Sequence, residues 1–200
     1  MTQKLLAIKA HPFTKEKSTT VALLDQFLES YAESHPEDEI TVLDLFATEI
    51  PDIDGTLLTA WETDPSEWTE AQRVCAERFD SFSNQFLEYD KIVIANPLWN
   101  MHVPTRLKAW LDTLLITNKT FRYTSHGPEG LVKGKKVMHL QSNGSPFDGQ
   151  DPATKHIEGI FKFIGIHDVE HIFIDGKDRS AGRHLPKLAM EEAKEKAKEL

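Results

Sequence analysis

Cysteine is almost absent: Cys75 is the only one in 200 residues. A lone thiol cannot close an internal disulfide, so the chain must hold itself together by its core and is expected in a reducing, cytoplasmic setting. Long apolar runs are missing too. Stretches such as Ile92-Val93-Ile94-Ala95 fall far short of the ~20 residues needed to span a bilayer, so no membrane partner is expected. The opening Met1 to Lys9 has no extended apolar region, and no signal peptide is expected. Positive charge is scarce, with 23 Lys and Arg against 32 Asp and Glu, a formal net charge of −9. Such a surface argues against nucleic acid and anionic lipid as partners. A small anion is still allowed, because backbone N–H groups can build an anion site inside an acidic protein. The P-loop and Gly-x-Gly-x-x-Gly fingerprints are absent, and so is the Gly-x-Ser-x-Gly elbow of serine hydrolases. No repeat, low-complexity tract or Pro/Gly/Ser linker divides the chain, which reads as one domain over residues 1–200.

What is present is an alternation of short apolar runs and longer helical patterns. Strands are expected at Leu5–Ile8, Thr41–Leu45, Lys91–Ala95, Lys136–Leu140 and Val169–Ile174. Between them, Val21, Leu24, Leu28 and Tyr31 recur at helical spacing, with Ser18 or Thr19 able to cap. Trp68, Ala71, Cys75, Phe79, Phe82 and Phe86 form a second stripe, which Asp64-Pro65-Ser66-Glu67 could open as a capping box. Leu107 to Leu115 and Ile157 to Ile164 supply two further apolar faces. Leu185, Leu188 and Ala189 lead into a final amphipathic helix with a charged end. Nearly continuous apolar strands alternating with helices imply a parallel sheet covered on both faces. Five such units match an α/β, flavodoxin-like, doubly wound sheet of order 2-1-3-4-5, a Rossmann-like order being the alternative that five clear strands disfavour. Ligands are expected beyond the carboxyl ends of the strands.

Three loops lie at those ends. The first, Lys9 to Thr20, leads into a helix that opens with three hydroxyl residues. A helix start offers unpaired N–H groups and about half a positive charge, which suits a phosphate as well as ordinary capping. The second, Asn96-Pro97-Leu98-Trp99-Asn100-Met101-His102-Val103-Pro104, sets an indole, an amide and an imidazole between prolines. A stiff wall with a few fixed polar groups fits the edge of a flat ligand. In the third, Gln141 to Pro146, Asn143-Gly144 can take positive φ and present successive amides.

The residues resemble the family of FMN-dependent NADH-azoreductases and NADH:quinone oxidoreductases along the whole chain. The resemblance rests on Lys9-Ala10-His11-Pro12 with Ser18-Thr19-Thr20, then Asn96-Pro97-Leu98-Trp99-Asn100 and Thr105 to Trp110. Lys119-Thr120-Phe121-Arg122-Tyr123-Thr124, Gly127-Pro128-Glu129-Gly130-Leu131, Gly134-Lys135-Lys136 and Phe163-Ile164-Gly165 complete it. It implies a homodimer with one FMN per subunit near the interface, NADH as electron donor and quinones or azo compounds as acceptors. Carried over by position, His11, Ser18, Thr19 and Thr20 line the phosphate and ribityl end. Pro97, Leu98, Trp99, Asn100 and Met101 run along the isoalloxazine ring, and Ser142, Asn143, Gly144 and Ser145 reach its pyrimidine side. Tyr123 and Phe163 border the substrate opening. Many relatives have Gly where this chain has Ser145. No protein acid or base is expected to be indispensable, because the flavin carries the chemistry.

Other readings compete. A flavodoxin-type electron carrier would share the fold without its own NADH turnover. A receiver domain needs paired carboxylates after the first strand, where this chain has Lys9-Ala10-His11. His167-Asp168-Val169-Glu170-His171 spells an inverted zinc motif, but it runs into a strand, so solvent-facing residues rather than a metal site are expected. Cys75 is expected in the core, and His102 is given no catalytic role.

Overall fold

The strand Lys4–Lys9 (β1) pairs in parallel with Glu39–Asp44 (β2) on one side and Lys91–Pro97 (β3) on the other. Lys136–Asn143 (β6) adds to β3, and Val169–Asp175 (β7) adds to β6, again in parallel. The resulting order, β2-β1-β3-β6-β7, is the expected five-stranded pattern, with its reversal between β1 and β3. This arrangement comes from a computed structural model that describes residues 2–178 and 180–200.

Alternation along the strands divides the core. Leu6, Ile8, Ile92, Ile94 and Val137 face Glu70–Glu88 (α3), Thr105–Asp112 (α4) and Pro152–Ile164 (α5). Leu5, Ala7, Val93, Met138 and Leu140 face Thr19–Ser34 (α1) and Leu185–Glu199 (α6). Both faces of the central strands are therefore covered, which is why β1 and β3 are apolar through most of their length. A satellite cluster of Leu57, Ala60, Ala76 and Phe79 joins Gly55–Glu62 (α2) to α3. Cys75 is half-buried against that cluster rather than in the main core.

Several local expectations change. Asp64 caps only a short 3₁₀ turn, Pro65–Glu67, because Trp68 and Thr69 are extended. The capping box that opens α3 is Thr69 with Gln72, and Trp68 instead folds back to donate its indole N–H to the carbonyl oxygen of Ala60 at 2.8 Å. Ala71 is exposed and Ala76 takes the inward position. On α6, Leu188 faces outward, and Ala189, Ala193 and Ala197 bring that helix close against α1. The segment before β6 carries an unexpected antiparallel hairpin, Phe121–Thr124 (β4) with Gly127–Gly130 (β5). Among the described residues no helix is long and apolar enough to cross a membrane.

Candidate functional site

The three loops meet above β1, β3 and β6. In the first, Ser18 is the N-cap of α1: its backbone is extended, and its Oγ accepts the N–H of Val21 at 3.3 Å. The N–H groups of Thr19 and Thr20 precede any intrahelical acceptor and are left for a ligand, at the positive end of the helix dipole. Thr20 is buried, and its Oγ1 lies 2.6 Å from Ser142 Oγ, which joins the first loop to the third. His11 is also buried. Its Nδ1 accepts the N–H of Phe13 at 3.1 Å, so the neutral ring carries its hydrogen on Nε2. Burial, then the charges of Lys9 and Lys177, hold its pKa below the usual histidine value.

The second loop is stiffened by backbone hydrogen bonds more than by its prolines. Trp99 and His102 exchange N–H to carbonyl bonds of 3.0 and 2.9 Å around Asn100 and Met101. Those two residues have φ of 48° and 66°, the double left-handed geometry of a type I′ turn. Asn tolerates that region, whereas Met does so only at a cost of about 1–2 kcal/mol. Pro97 ends β3 and is buried, Leu98 packs half-buried on the core, and the Leu98 N–H bonds to the carbonyl of Ser142 at 3.1 Å. Trp99 is 39% exposed, with its ring 5.2 Å from His11 and 6.5 Å from Phe46. The side chain of Asn100 is exposed and makes no hydrogen bond among the described residues.

In the third loop Ser142 and Asn143 are buried at the end of β6, Gly144 is half-buried and Ser145 is exposed. Asn143 Nδ2 donates to Asp175 Oδ1 at 3.0 Å, but Asn143 Oδ1 is buried with no partner among the described residues. An orphaned buried acceptor is costly, and a ligand N–H is the kind of group that would satisfy it. The turn after β7 backs this loop, with Gly176 and Lys177 donating to the carbonyl of Asn143. The Asp178 carboxylate lies over Gly144, where a Cβ would meet its Oδ2 at 2.4 Å unless that side chain swung aside.

Tyr123 and Phe163 lie elsewhere in the chain. α5 starts near the carboxyl ends of the strands, and Phe163 sits roughly 16 Å further along its axis. There its ring is 4.7 Å from Phe121, which is 5.5 Å from Tyr123, and Tyr123 is 72% exposed. A single chain thus gathers the three loops and leaves this aromatic cluster at the other end. His102 is exposed, its ring 4.9 Å from that of His156.

Sequence reasoning missed three contributors. Phe46 comes from the loop after β2, and Lys177 from the turn after β7. The third is a buried polar belt of Asn96, His139 and Gln141 under the second loop; polar letters at alternating positions of apolar strands were its signal. His171 belongs to that belt. It lies on β7, half-buried and stacked on Phe173 at 5.3 Å, and is not the solvent-facing residue expected of it. No group of three or more His, Cys, Asp or Glu among the described residues could hold a metal ion. The groups converging at the loops are hydrogen-bond donors, an acceptor without a partner among the described residues and an aromatic face, a set chemically suited to a flat ligand with an anionic tail.

Known proteins resemble the chain along its length and in overall fold. Residues 3–200 match a family model described as a flavodoxin-like fold. A curated relative from Streptococcus suis, named FMN-dependent NADH:quinone oxidoreductase, is 42% identical over 193 residues, covering 94% of this chain and 93% of its own. A relative of the same name from Staphylococcus haemolyticus is 37% identical, covering 98% of each chain. The crystal structure of an azoreductase from Bacillus anthracis superimposes with a TM-score of 0.92 at 31% identity over 100% of both chains. An FMN-dependent NADH-azoreductase from the same species, solved in complex with FMN, gives 0.92 at 30% identity over 98% of both.

Proposed function

The chain belongs to the family with the flavodoxin-like fold, and from that membership we propose that it is an FMN-dependent oxidoreductase moving two electrons from NADH to quinones and reductively cleaving aromatic azo compounds. The observation that carries this reading is the convergence of the three loops. They place unpaired helix N–H groups, an aromatic wall and an orphaned buried acceptor together at the carboxyl edge of the sheet.

When bound, FMN supplies the hydride and electron chemistry, and the residues of the chain hold and orient it. Ser18, Thr19 and Thr20 receive the phosphate at the start of α1, with Lys177 adding charge nearby. His11, kept neutral by burial, offers Nε2–H toward the ribityl end. Pro97, Leu98, Trp99, Asn100 and Met101 line the ring, and the Asn100 amide supplies one donor and one acceptor to its edge. Ser142, Asn143, Gly144 and Ser145 take the pyrimidine side, where Asn143 Oδ1 gains the donor it lacks. Trp99 would shield one side of the bound ring from water and leave the other open to NADH and acceptor in turn, for which ping-pong kinetics are expected. No side chain is assigned an indispensable proton transfer.

The site is completed by a second copy. Tyr123 and Phe163 border the substrate opening of a partner's flavin, since their own chain carries them away from its loops. Exposed Ile53, Leu58 and Trp61 before α3, and Met101 after β3, supply apolar surface for a two-fold interface. We place the enzyme in the cytoplasm, where NADH is at hand and a lone cysteine stays reduced.

The test is direct. Purified protein mixed with FMN and dialysed should retain one flavin per chain and then oxidise NADH steadily with menadione. Retained flavin without NADH turnover would identify an electron carrier instead, and a colourless protein would remove the flavin altogether.

A further inference from the structure

Beneath the second loop a chain of hydrogen bonds runs from the wall to the surface of α5. Asn96 Nδ2 donates to the carbonyl oxygen of Pro97 at 3.1 Å and to Gln141 Oε1 at 3.0 Å. Gln141 Nε2 donates onward to Asp151 Oδ2 at 3.0 Å, the N-cap of α5. With both amide hydrogens of Asn96 used, its Oδ1 can only accept, and it faces His139 Nε2 at 2.9 Å. The hydrogen of His139 therefore sits on Nε2. Burial, reinforced by the neighbouring His171, pushes the pKa of His139 down to about 3, so the ring is neutral and its Nδ1 is a lone pair. His171 Nδ1, 3.2 Å away, is then the donor. The remaining nitrogen of His171, Nε2, lies 2.9 Å from Glu158 Oε1. That contact is satisfied only while the His171–Glu158 pair holds one proton between them.

We propose that His139 is a positioning residue for the flavin wall: its Nε2–H orients the Asn96 amide, and Asn96 ties down the Pro97 carbonyl at the root of the Trp99–His102 turn. His171, donating to His139 Nδ1, occupies the other ring nitrogen and so supports the tautomer that Asn96 requires. This role rests on the reading that the second loop walls FMN.

The groups facing His171 are His139 from β6, Glu158 and Asp151 from α5, and its neighbour Glu170 on β7. Burial lowers its pKa, and Glu158, Asp151 and Glu170 pull it back only in part. As pH rises the pair loses its proton. His171 then keeps its hydrogen bond to His139, and the half-exposed Glu158 carboxylate turns to water. The chain opens at its outer end, and the hydrogen on His139 stays in place.

Ring-nitrogen shifts from ¹⁵N-labelled histidine, recorded on the parent protein with and without FMN, read the tautomers. His139 should carry hydrogen on Nε2 alone. His171 should gain its second ring hydrogen below the ordinary histidine range, at still lower pH in Glu158→Gln. FMN dissociation constants supply the second readout: His139→Leu should weaken binding about 10-fold, while His139→Gln, whose amide nitrogen can replace Nε2–H, should stay within about twofold of the parent. A His139 hydrogen on Nδ1, parent-like binding by His139→Leu, or a Gln variant as weak as Leu would each overturn the positioning role alone. A parent that binds no FMN overturns the proposed function and the flavin-wall role with it.

Discussion

Asn100 combines two properties that single-letter sequence cannot separate: an amide with no hydrogen bond among the described residues and a backbone in the left-handed region. An Ala replacement disturbs both, whereas Asn100→Gly keeps the turn and removes only the amide. With a flavin edge left unpaired, Asn100→Gly should weaken FMN by about 1–3 kcal/mol, roughly 5- to 150-fold, in a fluorescence titration. His102→Ala should do much less, since its ring leans on His156 and its backbone bonds to Trp99 survive. His139 makes a different prediction, about stability. Its folded pKa of about 3 lies below the ordinary 6.5, so the unfolded chain takes up a proton that the folded chain refuses. The stabilisation is complete above 6.5 and is lost as pH falls from 6.5 toward 3, at about 1.4 kcal/mol per pH unit. Urea unfolding over that range should show the slope, and His139→Gln should reduce it, the remainder coming from other histidines whose pKa burial lowers, such as His11 and His171. An equal slope in both proteins would assign all of it to those groups. At this scale the loop residues were legible because Trp99, Asn100 and the Ser18 to Thr20 run are unusual letters directly after strands. Asn96 and His139 were harder to read, because a polar residue in a buried strand declares a partner without saying which one.

At the scale of elements, strands and helices with strong periodicity could be read, and their ends could not. Asp64 and Thr69 are both competent caps five residues apart, and only the packing of Trp68 onto Ala60 decides that Thr69 opens α3. The β4–β5 hairpin was hidden because its strands are only four residues long and β5, Gly127-Pro128-Glu129-Gly130, is built of poor strand formers. What holds it is contact with α5. A Cβ on Gly130 would lie 2.2 Å from the backbone nitrogen of Gly165, and the N–H of Val132 bonds to the carbonyl of Ile164 at 2.9 Å. Since the obstacle is backbone, Gly130→Ala should destabilise the fold by about 1–3 kcal/mol or more and displace Phe121 and Tyr123, measurable as a lower Tm. The type I′ turn makes the opposite case. Met101→Gly should relieve about 1 kcal/mol of left-handed strain and raise Tm, while weakening FMN binding if the thioether touches the ring. An unchanged Tm would show that Met101 sits in its turn without cost.

For the whole molecule, the sheet order followed from five strand–helix units, but the proposed division of the site between two copies could not be read from any stretch of chain. Tyr123 and Phe163 stand within the same 200 residues as Trp99, and only the course of α5 shows them at the opposite end. If each flavin is held by the loops of one subunit and bordered by the aromatic cluster of the other, the two defects complement in trans. Take Asn100→Gly, which spoils the loops, and Tyr123→Ala, which spoils the border. In a mixed dimer one site inherits both lesions and the other inherits neither. Random reassortment makes half of the dimers mixed, so about a quarter of all sites should regain parental turnover when two such inactive or weakened proteins are unfolded and refolded together. Refolding each alone should recover nothing. If the border residues instead served the flavin of their own chain, every site in the mixture would keep one lesion, and activity would stay at the average of the two variants. Light scattering on the refolded mixture reads the premise separately, since a mass of one chain would leave no partner to complement.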